Sequence, residues 1–145
     1  MTVPSFVRLN LDWNADPNDP CPTIRTNGST LALSFIPNAL QFPSFVGVAR
    51  SAVILEGCSR YRRTRVNDEG WYLGQCRFSW LAPRWGEFYQ INGDTRDDTE
   101  RTPWKVIATD LPGVLHFHFY LRDETFEAKA TRWSFHREAP YEEAA

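Results

Sequence analysis

Apolar and polar residues alternate with a period of two through most of the chain. Val7, Leu9, Leu11 and Trp13 fall on one face of an extended segment, with Arg8, Asn10 and Asp12 on the other. That pattern predicts a half-buried strand. NADPNDPCPT carries three prolines and several Asx residues, so a loop follows. TIRTNGSTLALSFI predicts a hairpin turning at Asn27-Gly28, with Leu31, Leu33 and Phe35 on one face. PNALQFP leaves room for at most one helical turn between its prolines. FVGVARSAVILEG reads as a strand bent at Gly47 or Ser51. RYRRTRV and WYLGQCRFS flank Asn67-Asp68-Glu69-Gly70 as the arms of a hairpin would. GEFYQI is a short strand. WKVIAT fits a strand, or a short helix capped by Thr102-Pro103.

The segment VLHFHFYLRDETFEAKATRWSFH, residues 114–136, is the most informative. Closing it at Asp123-Glu124 pairs Leu121 with Phe126, Phe119 with Ala128 and Phe117 with Ala130 on an apolar face. The other face then pairs Tyr120 with Glu127, His118 with Lys129 and His116 with Thr131. A slip of one residue would mix the two faces. A four-residue loop suits Asp-Glu better than a two-residue one. The Phe face is expected to be the core, and the histidine face is expected to be the wetter one.

No amphipathic helix of normal length is visible. The chain is therefore expected to be all-β: a single antiparallel β-barrel or sandwich of about 8–10 short strands with at most one or two short helical turns. Residues 1–137 are expected to form one β domain, and 138–145 a flexible C-terminal tail.

Composition sharpens this picture. A chain of 145 residues with 42% hydrophobic content buries a core without staples. Six Trp, ten Phe and five Tyr suit strands. A formal charge of −2 argues against a general nucleic-acid binder, whose affinity comes from neutralising phosphates. No apolar run is long enough to span a bilayer, and no basic-then-apolar leader opens the chain. Cys21, Cys58 and Cys76 are odd in number and lack CxxC spacing, which suggests free thiols in a cytoplasmic, bacterial-type protein. The expected hairpin register holds Cys58 and Cys76 beyond disulfide reach.

Three sets of side chains carry candidate chemistry. His116 and His118 point the same way on their strand and are candidate metal ligands, but no third ligand is placed beside them. His136 lies about five residues along the strand from the partner of His116, or roughly 16 Å. No metal and no cofactor is therefore assigned. Arg60, Arg62, Arg63 and Arg65 put charge on both faces of one strand. Such a strand belongs at an edge, or on an arm standing off the body, where it meets an acidic protein or the chain's own loop 94–100. Arg-rich edges also permit a homodimer. Trp80, Trp85 and Tyr89 cluster around Pro83 and form either a corner plug or a stacking platform.

GxSxG, P-loop, GxGxxG and HExxH motifs are absent, which favours binding over catalysis. The leading expectation is a small-ligand-binding domain using Trp80, Trp85, Tyr89, His116, His118, Tyr120 and Arg122, in a barrel interior or an aromatic-lined cleft. A protein-interaction partner of the inhibitor or immunity type, using Arg60, Arg62, Arg63 and Arg65, is the alternative. A metal-dependent enzyme built on His116 and His118 comes third.

Overall fold

A computed structural model describes residues 3–66, 68–75, 78–82, 84–93 and 101–140. It is an all-β protein of two antiparallel sheets packed face to face. The first sheet orders six strands as β1 (Ser5–Arg8), β6 (Phe88–Asn92), β8 (Leu115–Tyr120), β9 (Thr125–Ala130), β5 (Arg60–Thr64) and β7 (Lys105–Val106). The second orders four as β10 (Arg132–His136), β4 (Ser51–Glu56), β3 (Thr30–Phe35) and β2 (Thr23–Asn27). Among the described residues, helix is confined to one 3-10 turn, Pro43–Phe45, and one short α1, Asp68–Tyr72. The sheets stack as a sandwich and, among the described residues, do not close into a barrel.

The period-two pattern explains the stacking. Phe117, Phe119, Phe126, Ala128 and Phe88 face inward from the first sheet and meet Leu31, Leu33, Phe35, Val53 and Leu55 from the second. Trp13 lies between the layers, stacked on Phe135 with ring centroids 4.2 Å apart. The expectation that the Phe face is the core holds.

Two strands cross from one sheet to the other. β4 leads into β5 through Gly57, and β9 leads into β10 through Thr131, whose amide and hydroxyl both donate to the Glu56 carbonyl at 3.0 Å. Gly57 has a φ of +61°, and a Cβ there would overlap Thr131 Oγ1. Only glycine meets both demands. The crossing also carries His136 onto the second sheet, where it pairs with Ala52.

Several expectations are corrected. The first strand covers only Ser5–Arg8, and Val7 and Leu11 are exposed. Its phase breaks where Asn10 turns inward to bond Trp13 O, Glu87 and Phe88 N. The early hairpin turns at Gly28-Ser29, since Asn27 pairs with Thr30. Gly28, at φ +58°, then takes the first central position, as in a type II′ turn. The arms expected around 67–70 do not pair: α1 follows β5, and Gly70 is helical. β8 and β9 are offset by two residues from the expected register, so Leu121–Glu124 forms the loop and Leu121 N donates to Glu124 O. An even offset keeps every side chain on its face, but His118 now sits opposite Glu127, and His116 opposite Lys129.

Candidate functional site

The outer face of the six-stranded sheet carries the chain's polar strand positions in rows. One row runs Arg8, Tyr89, His118, Glu127, Arg62, and the next runs Phe6, Ile91, His116, Lys129, Arg60. Sequence reasoning gave this face to the wetter side, and the structure covers it. Trp71, Phe78 and Ala82 pack over it against Tyr89, Ile91 and Tyr120 in a second apolar cluster. His116 and His118 are about as buried as the core, at 5% and 6% exposure. Trp71, Phe78 and Ala82, from between β5 and β6, return over the sheet as its lid, and local alternation cannot register that.

Beneath this cover lies a buried ionic cluster. Arg62 Nε donates to Glu127 Oε1 at 2.7 Å, and Glu127 Oε2 engages His116 Nε2. Arg62 also donates to Thr102 O at 3.3 Å, and its guanidinium lies 3.9 Å from the Trp104 ring centre. Burying the charges is tolerable only because each meets a partner. Arg62 is thus sequestered in the body of the sheet, while Arg63 and Arg65 are exposed and Arg60 is half-buried. Arg63 forms a two-pronged pair with Glu124, at 2.5 and 2.6 Å, which pushes its pKa up. No group of three or more His, Cys, Asp or Glu could hold a metal ion among the described residues. Cys76, Asn67, Pro83, loop 94–100 and residues 141–145 lie outside them.

An open cleft lies at one end of the sandwich, where four connections meet. Residues 14–17, Asn38, Gln41, 84–87 and 120–122 line a volume of about 340 Å³. Trp85 supplies its aromatic surface and packs on the buried Tyr120, with ring centroids 4.9 Å apart. The 84–87 wall is fixed from behind. Tyr89 donates its hydroxyl to Arg84 O at 2.9 Å and accepts from Arg84 N at 3.2 Å. Burial of Tyr89 raises its pKa. Asn14 Nδ2 donates to Gly86 O at 2.7 Å. Asn10 Nδ2 donates to Glu87 Oε2 at 2.5 Å, and Phe88 N donates to Asn10 Oδ1.

Of the side chains singled out from sequence, the cleft brings together Trp85, Tyr120 and Arg122. Tyr89 stands behind its wall. His116 and His118 lie under Phe78 on the same sheet face, and the His118 ring is 4.5 Å from that of Tyr120. Trp80 is apart from the cleft, 74% exposed, with φ +65° and its ring against Gly74. Sequence reasoning missed Asn14, Asp16, Asn38, Gln41 and Arg84, and treated Glu87 as one scattered acid. The signal for the first four was the Asn- and Pro-rich composition of two loops, which reads only as turn chemistry.

No helix among the described residues is long and apolar enough to cross a membrane. Comparison with family models, curated proteins and solved structures found no match.

Proposed function

We propose that this chain is a non-catalytic β-sandwich that binds a small polar ligand in the cleft at the loop end of its sheets. The observation that carries the reading is the convergence of Trp85, Tyr120 and Arg122 on one cleft of about 340 Å³. That volume falls within the range of small-molecule sites, roughly 300–1,000 Å³. The hydrogen bonds behind the 84–87 wall support it further, because a wall fixed before binding reduces the ordering cost of the complex. We read its compartment as a reducing cytosol, in keeping with the free thiols of Cys21 and Cys58.

A thermal-shift survey of a broad fragment library tests the proposal. Some polar aromatic-stacking fragments should raise the Tm of the native chain and leave Trp85→Ala unmoved. A flat response across the library overturns it. A second reading, a protein-interaction partner, draws on the exposed Tyr72, Leu73 and Trp80 and on the exposed Arg63 and Arg65. Partner capture that survives Trp85→Ala would favour it over the cleft.

A further inference from the structure

We infer that the cleft takes a neutral polyhydroxylated ring, a saccharide, an inference that rests on the cleft being the binding site proposed above. Its lining carries two arginines, Arg84 and Arg122, and two carboxylates, Asp16 and Glu87, so formal charge cancels. Three of these four are already engaged. Arg122 donates to Asn18 O at 2.6 Å and lies 3.6 Å from Asp123. Asp16 Oδ1 accepts from the amides of Asn18 and Asp19 at 2.8 and 3.0 Å. Glu87 Oε2 accepts from Asn10. A cleft with balanced, engaged charges exerts little pull on an ion of either sign.

The groups left open are of both kinds. The Arg84 guanidinium and Gln41 Nε2 donate. Glu87 Oε1 and Asp16 Oδ2 accept. Gln41 is held in place through Oε1, which accepts from Asn38 Nδ2 at 3.2 Å. A hydroxyl both donates and accepts, so a ring with several hydroxyls satisfies both kinds of group. An acceptor-only anion or a donor-only cation would leave half of them unmet. Glu87, only 8% exposed and fixed by Asn10, suits a charge-assisted bond to one hydroxyl. The half-buried Trp85 ring offers a flat apolar surface to the C–H face of a pyranose.

The test is calorimetric titration of the full chain with methyl α-glucopyranoside, methyl β-galactopyranoside and N-acetylglucosamine. Glycine, citrate and benzamidine serve as zwitterionic, anionic and cationic comparisons. At least one glycoside should bind saturably, with an affinity that barely changes with salt. Trp85→Ala and Glu87→Gln should each weaken it about ten-fold or more. Glu87→Gln also touches the Asn10 contact, so Gln41→Ala, on an exposed turn, provides an independent check. It should weaken binding by roughly three-fold or more with an unchanged Tm. If a charged probe binds through Trp85 and no glycoside does, the saccharide class is wrong and the cleft reading stands. If a glycoside binds but Trp85→Ala is indifferent, the inference falls. If neither these probes nor the fragment library bind, both readings fall.

Discussion

Glu127 shows how one side chain can hold a sheet face together. It is 2% exposed and meets Arg62 on one oxygen and His116 on the other. Glu127→Ala leaves the Arg62 guanidinium buried without its carboxylate, so unfolding should become easier by about 3–5 kcal/mol. The pair need not be favourable overall, because both charges give up water to form it. Arg62→Met combined with Glu127→Leu should therefore cost less than the sum of the single changes, by at least about 1 kcal/mol in denaturant midpoints. Strict additivity would contradict the coupling. Cys58 makes the opposite point, since its environment favours the neutral form. Burial pushes its thiol from the usual 9.0 up to about 11. The folded chain holds that proton more tightly than the unfolded chain does. Its contribution is complete below pH 9 and is lost as pH climbs toward 11, by about 1.4 kcal/mol per unit. The fall in stability between pH 8 and 10.5 should be shallower in Cys58→Ala. In folded protein at pH 8, iodoacetamide should label the exposed Cys21 and leave Cys58 unmodified.

At the scale of elements, the crossing at Gly57 and Thr131 joins the two sheets. Gly57→Ala demands a left-handed backbone from a residue with a Cβ, and sets that Cβ against Thr131. The two effects together should cost roughly 2–4 kcal/mol, read as a drop in thermal midpoint. A loss below half a kilocalorie would mean that the crossing relaxes freely. The β8–β9 hairpin shows what strand patterning can and cannot specify. Phe117 and Phe119 on one face and His116 and His118 on the other follow from period two alone. The offset of two residues does not, because it preserves both faces, and only the length of the Leu121–Glu124 loop distinguishes the registers. That offset placed Glu127 within reach of His116 and moved Lys129 opposite it.

For the whole molecule, the sandwich brings four connections to one end and makes a cleft from residues far apart in the chain. Trp85 was legible as a candidate from its aromatic cluster around Pro83, and Tyr120 and Arg122 from the polar face of their strand. Asn14, Asn38 and Gln41 were not, because a loop amide reads the same whether it caps a turn or lines a cavity. His116 and His118 were correctly given to the polar face but expected in wetter surroundings. Trp71, Phe78 and Ala82 pack over that face, and nothing local to β8 announces it. The sequence by itself determined the class, most of the strands and the face on which most side chains lie, since alternation and turn residues act over a few neighbours. Only the tertiary structure decided the register of β8 on β9, the lid over the ionic cluster and the partners that meet in the cleft. Those depend on contacts between segments whose separation along the chain leaves no local trace.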